Sequence, residues 1–201
     1  MKVILFSLLL LLIAARDYPL YNQCDSKWAK EKMGTSTHTI CDAGDIISAV
    51  AMGMTAIGKT ETPSTLNTWL KSNKGYDSKN QFVWNSVNAL GITYQGLVPI
   101  ALLKLNLDVG YLVIINVDKG AHWVLATGYT GNTIHVRDSL HTTITNYDTS
   151  QIVTGHIAIY KVPTSLPTEL LYKLEEIFKI SGKDMNENNI SSEWSSKLDY
   201  K

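Results

Sequence analysis

The segment that most restricts how this chain can fold runs from Cys41 to Lys59 and reads CDAGDIISAVAMGMTAIGK. Its apolar side chains, Ile47 and Val50 among them, are spread around the whole helical wheel instead of forming one stripe. A helix that is apolar on nearly every face is stable only when other elements cover it. The sequence therefore predicts a central helix that ends near Gly58 and is buried inside the domain.

The segments that follow this helix predict the rest of the fold. Amphipathic spacing predicts helices at 63–72 and 82–90, with a further candidate at 100–107. After these, segments rich in β-branched and aromatic residues alternate with Gly, Asn and Asp turns, which is typical of strands. The predicted strands are 111–117, 122–129, 133–137 and 156–162. Helices first and strands second indicate an α+β domain in which the buried helix packs on an antiparallel sheet.

The two ends of the chain differ in composition from its middle. A charged start is followed by an unbroken apolar run that closes with two alanines at 14 and 15, and this run is too short to cross a bilayer. The pattern predicts a secretory signal peptide at 1–15, a domain at 16–162 and an extracellular location. Residues 163–201 are expected to form an amphipathic helix at 168–180 followed by a polar tail.

Secretion has consequences for covalent structure. The chain has two cysteines, Cys24 and Cys41, and an even count in a secreted protein predicts a disulfide between them. The competing interpretation, in which one of them is a free nucleophile, stays open at this point. The sequon Asn189-Ile190-Ser191 predicts a glycan on Asn189. Since no close pair of histidines joins the cysteines, we expect no zinc site, no other metal and no cofactor.

Four stretches of the sequence carry a resemblance to a known family. They are YNQCDSKW at 21–28, TICDAGDIISAVAMGM at 39–54, GAHWVLATGY at 120–129 and NTIHVRDS at 132–139. In this order they resemble the bacteriocin-processing peptidases, which are papain-like cysteine peptidases, over about residues 18–162. The resemblance implies a papain-like fold. It also implies a site with a Gln that donates to the oxyanion, a Cys that opens the buried helix after a Gly, a His base and an Asp that orients the His.

Carried onto this sequence, the resemblance assigns Gln23 to the oxyanion donor, His122 to the base and Asp138 to the orienting carboxylate. The nucleophile position falls on Asp45, directly after Gly44. A carboxylate there is favoured by the helix dipole and is expected to pair with His122. With Asp138 on the other ring nitrogen, the imidazole would stay protonated at neutral pH and be a poor general base. We therefore expect an inactive, vestigial site.

These observations predict a secreted, catalytically inactive papain-like domain that works as a structural or binding module. The apolar stripe from Leu170 to Phe178 suggests self-association, in the most specific form into an extracellular filament. The other expected partner is an extracellular protein or glycan, bound around Trp123. Nucleic acid is excluded as a default partner because 18 basic and 18 acidic residues balance, and no membrane contact is expected after removal of the signal peptide.

Two catalytic alternatives remain. One is an active hydrolase of unusual mechanism, such as one with Asp45 as nucleophile. The other is a divalent metal held by Asp45, His122 and Asp138. The metal is disfavoured because the inherited geometry places the imidazole between the two acids instead of setting all three around a vacancy.

Overall fold

The structure is a computed structural model that describes residues 16–163. The predicted signal peptide at 1–15, the predicted helix at 168–180 and the sequon at Asn189 lie outside the described residues. Within residues 16–163, no helix is both long enough and apolar enough to cross a membrane.

The described residues form a six-stranded sheet in the order β1-β6-β2-β3-β4-β5, in which every neighbouring pair is antiparallel. Its strands are β1 (Thr93–Val98), β2 (Leu112–Val117), β3 (His122–Thr130), β4 (Thr133–Arg137), β5 (Asn146–Asp148) and β6 (Ile157–Lys161). The strand β2 lies near the middle of the sheet, and all six of its residues are buried.

Four α-helices and four 3₁₀ helices accompany the sheet in this part of the chain. The α-helices are α1 (Ile40–Ala43), α2 (Asp45–Ala56), α3 (Pro63–Ser72) and α4 (Leu103–Asp108). The 3₁₀ helices are Trp84–Leu90, Ile100–Leu102, Asp118–Gly120 and Thr149–Gln151. Helix α3 begins where the sequence predicts, because Thr62 caps it in a reciprocal bond with Thr65 and Pro63 occupies its first position.

Helix α2 is the central buried helix, and it packs on one face of the sheet. Eight of its twelve residues are buried, from Ile47 to Met54. They share a core with side chains from the strands, including Leu112 and Leu125. The contact with β2 is close at Gly53, where an added Cβ would lie 2.9 Å from Leu112 Cδ1. The predicted combination of a buried helix and an antiparallel sheet is therefore confirmed.

A second core covers the opposite face of the same sheet. Alternate residues of β2, such as Val113 and Ile115, point away from α2 and pack with Leu103 of α4 and with Ile152. Because both faces are covered, the central strands are apolar without alternation, as their sequence suggests. The sheet is thus a rigid support for groups at the ends of its strands.

The structure differs from the predicted elements in several places. The segment at 40–56 is divided at Gly44 into α1 and α2, and the candidate helix at 100–107 is a 3₁₀ helix followed by α4. The strands β1 and β5 were not predicted, since β1 contains Gly96 and alternates between exposed and half-buried residues at the sheet edge, and β5 has only three residues. The predicted helix at 82–90 is a 3₁₀ helix that starts at Trp84. Its sequence, WNSVNAL, is rich in residues with low α-helix propensity, which explains the difference.

The burial of α2 predicts a large cost for shortening its side chains. Ile47→Ala should lower the free energy of unfolding by about 2–5 kcal/mol, because Ile47 is fully buried and the neighbouring side chains cannot close the cavity. The exposed Thr68→Ala on α3 is the control, and it should change stability by no more than about 0.5 kcal/mol. Urea denaturation followed by circular dichroism measures both, and equal effects would contradict the packing described here.

Candidate functional site

The site lies where the beginning of β3 meets the end of β4 and the start of α2. His122 is the first residue of β3 and pairs with Val117 across a tight turn. Lys119 and Gly120 of this turn both have positive φ, at 56° and 105°. The turn therefore sets the position of His122 relative to the end of β2. The His122 side chain is 5% exposed.

Asp138 follows the last residue of β4 and is fully buried. Its Oδ1 lies 2.8 Å from His122 Nε2 and accepts backbone hydrogen bonds from Leu140 and His141 at 2.9 and 2.8 Å. Its Oδ2 accepts a hydrogen bond from the Tyr147 hydroxyl at 2.8 Å. Four donors thus hold this carboxylate, and they compensate for its removal from water.

Asp45 is the first residue of α2 and approaches His122 from the other side. Its Oδ2 lies 3.4 Å from His122 Nδ1 and accepts a hydrogen bond from the Trp123 backbone N–H at 2.9 Å. Its Oδ1 accepts from the Ile46 N–H at 2.8 Å. Gly44 precedes Asp45 because a Cβ there would collide with the backbone of Ile40. The carboxylate therefore faces β3 and is held by backbone amides of both α2 and β3.

The imidazole of His122 thus lies between two carboxylates, as the sequence predicts. Burial on its own lowers the pKa of His122, but the hydrogen bonds and negative charges of Asp138 and Asp45 outweigh it and raise the pKa to about 9. For Asp138, burial on its own raises the pKa, because it disfavours the charged carboxylate. The interactions with His122 and with the His141 amide outweigh burial and lower the pKa to about 2. At neutral pH the arrangement is an imidazolium held by carboxylates.

Gln23, the fourth residue assigned from the resemblance, makes its bonds elsewhere. Its Nε2 donates to the Cys41 carbonyl at 2.9 Å, and its Oε1 accepts from the Ser139 hydroxyl at 2.9 Å. The Gln23 backbone N–H also donates to the Ser139 carbonyl. Gln23 is therefore bonded both to Ser139, the residue after Asp138, and to helix α1 through the Cys41 carbonyl. One N–H of its side-chain amide is used in the bond to Cys41.

The two cysteines form the predicted disulfide, Cys24–Cys41. Since these are the chain's only cysteines, the alternative in which one of them is a free nucleophile is wrong for this structure. The bond links the loop that carries Gln23 to helix α1, directly before the start of α2.

Several groups at the site were not singled out from the sequence. Tyr147, Ser139 and the Trp123 backbone amide each bond a predicted site residue, and no local sequence pattern points to them. His141 follows no ligand spacing in the sequence and is expected at the surface; its side chain is 45% exposed, but its ring centroid lies 5.4 Å from that of His122. The spacing Asp138-x-x-His141 could have indicated it, since an Asp commonly accepts bonds from amides two and three residues later.

Trp28, Trp69, Trp84 and Trp123 are large apolar residues that the sequence leads us to expect in the core. Trp28 is buried, whereas the other three are half-buried and pack against the core. The Trp123 ring packs edge to face against Trp84, with centroids 5.0 Å apart. These two rings form a partly exposed aromatic surface, and the backbone N–H of Trp123 bonds Asp45.

Comparison with known proteins finds a similarity in a solved structure. It is the crystal structure of a double glycine motif protease from an AMS/PCAT transporter in complex with the leader peptide. The similarity covers 74% of this chain and 95% of that chain, with a TM-score of 0.49 and 16% sequence identity. No family model matches the chain, and no curated protein matches it.

The pairing of His122 with Asp45 and Asp138 predicts that the stability of the fold depends on pH. The pKa of His122 is raised to about 9 in the folded state. Protonated His122 therefore stabilises the fold fully below about pH 6.5, and this stabilisation is lost as the pH rises through about 9. The free energy of unfolding should fall by up to about 3 kcal/mol over this interval in metal-free buffer.

Nuclear magnetic resonance titration of the His122 ring measures the midpoint directly. Asp45→Asn should lower the midpoint, because one of the two facing carboxylates is removed, whereas His38→Gln at an exposed position should leave it unchanged. A midpoint below 6.5 in the unmodified protein would show that the carboxylates do not hold the imidazolium.

Proposed function

We propose that this chain is a secreted papain-like domain without peptidase activity, which acts as a structural or binding module outside the cell. The observation that carries the proposal is the side chain at the start of the buried helix. Where the related peptidases have a thiol, this chain has the Asp45 carboxylate, 3.4 Å from His122.

The reacting atom argues against peptide cleavage. A papain-like reaction needs a thiolate, and both cysteines of this chain are in a disulfide. A carboxylate that attacked a peptide bond would have to expel an amine and form an anhydride, and an anhydride is much less stable than the amide that it would replace. Both oxygens of Asp45 also already accept backbone hydrogen bonds.

The groups around the reacting atom argue in the same direction. A general base must accept a proton, and the two carboxylates raise the pKa of His122, which favours the protonated ring near neutral pH and makes it a poor base. The side chain of Gln23, which would stabilise an oxyanion, is held by two bonds, because one of its two N–H groups donates to the Cys41 carbonyl and its Oε1 accepts from the Ser139 hydroxyl. Catalytic roles that cooperate in the peptidases are thus replaced by mutual pairing.

The proposed extracellular role rests on the disulfide and on the sequence of the two ends. A disulfide persists in an oxidising compartment and is rare in the cytosol. Self-association is proposed for the stripe from Leu170 to Phe178, which lies outside the described residues. An extracellular protein or glycan at the Trp123 and Trp84 surface is the other proposed partner.

Peptidase activity can be tested with one substitution and its control. The unmodified protein should not cleave peptide or ester substrates. In Asp45→Cys the new thiol should be alkylated faster than in Asp45→Cys combined with His122→Gln, because a neighbouring imidazolium favours the thiolate. The disulfide should be verified in each variant by counting free thiols. Turnover by the unmodified protein that disappears in Asp45→Ala would instead establish an active hydrolase.

Self-association is tested separately by analytical ultracentrifugation of the secreted, processed protein. We expect sedimentation that increases with concentration, and its loss when Leu171 and Leu174 are replaced by Ser, since the apolar stripe is then interrupted. The control replaces Ser181 by Ala. A monodisperse monomer at high concentration would remove the filament proposal and leave the binding module.

A further inference from the structure

A second histidine, His141, lies beside Asp138 and His122 near the end of β4 and has no part in the proposal above. His122, Asp138 and His141 offer one ligand atom each, and these atoms all lie within 4.8 Å of one another. From this cluster we propose that His122, Asp138 and His141 bind a divalent transition metal ion of the zinc type.

The Asp138 carboxylate has one oxygen that remains able to bind a cation. Its Oδ1 already meets three donors, whereas its Oδ2 accepts a single hydrogen bond from Tyr147. Each carboxylate oxygen can accept about two bonds. The free lone pair is therefore on Oδ2, and this atom lies 3.6 Å from His141 Nδ1. In a tetrahedral zinc site with bonds of 2.0–2.1 Å, neighbouring ligand atoms lie about 3.3 Å apart.

The orientation of His122 suits the same ion. Asp45 Oδ2 lies on the Nδ1 side of the ring, and Nε2 faces Asp138. A metal-binding histidine commonly donates its other N–H to a carboxylate, which fixes the tautomer and makes the ligating nitrogen more basic. Asp45 has this outer position. The bound ion replaces the proton that Nε2 shares with Asp138, and that proton passes to solvent.

This set differs from the metal alternative weighed from the sequence. There the ligands were Asp45, His122 and Asp138, and the objection was that the imidazole separates the two acids. His141 removes the objection, because it joins Asp138 on the side of His122 away from Asp45. His141 also gives the ion a route from solvent, since its side chain is 45% exposed whereas the other two ligands are buried.

The three ligands, two imidazoles and one carboxylate, favour transition metals over calcium and magnesium. Imidazole nitrogen suits zinc, copper, nickel and iron, whereas calcium and magnesium prefer sites built from oxygen. Three protein ligands leave at least one coordination position for water. The ion would connect the start of β3 to the segment after β4.

The test uses the untagged, processed protein after removal of metal with EDTA. Isothermal titration calorimetry with zinc chloride at about pH 8 should give one ion per chain, and the melting temperature should rise with zinc. His141→Asn should weaken zinc binding more than about tenfold. This variant keeps the backbone N–H that bonds Asp138, so it should fold. His38→Asn, at an exposed position away from the cluster, is the matched control and should bind zinc normally.

Cobalt(II) then locates the ion. Paramagnetic shifts should appear on the ring protons of both His122 and His141 and be lost in His141→Asn. The proposal is overturned if no one-to-one zinc isotherm is seen, if His141→Asn binds as tightly as the unmodified protein, or if the shifted protons belong to other histidines.

Discussion

The contact between His122 Nε2 and Asp138 Oδ1 is the interaction on which the rest of the site depends. It joins the first residue of β3 to the residue that follows β4, so it closes the end of the strand pair. A buried carboxylate is costly unless it is hydrogen-bonded, and here two backbone amides, a phenol and an imidazole bond Asp138. The segment after β4 is shaped by these bonds. Through Ser139 it also holds the loop that carries Gln23.

Asp45 extends this pairing to the central helix. Because α2 is buried, its first residue has little freedom, and the Trp123 amide and the His122 ring are the groups it meets. A carboxylate in this position satisfies a strand amide and balances an imidazolium, which a thiol would do less well. Asp45 therefore supplies a polar contact between helix and sheet. This contact is the physical basis for proposing that the domain is a stable module.

Much of the fold could be predicted because its signals are local. Helix α3 begins and ends at the predicted residues, since Pro63 and the Thr62 cap are visible in the sequence. Strand β4 also matches its predicted range. The edge strands β1 and β5 were missed because their stability comes from pairing with β6 and β4, and their own sequences are short or interrupted by Gly96. The 3₁₀ helix at Trp84 was assigned as α-helical because amphipathic spacing alone does not separate the two types of helix.

The sequence by itself determined the buried helix and the antiparallel strands, since each depends on residue type and spacing along the chain, and it favoured the disulfide because the chain has two cysteines. Only the tertiary structure decided that the Gln23 amide bonds the Cys41 carbonyl, that Tyr147 holds Asp138, and that His141 lies beside His122. These contacts join residues from different loops and strand ends. Their distances are set by how the elements pack, which no local pattern of residues encodes.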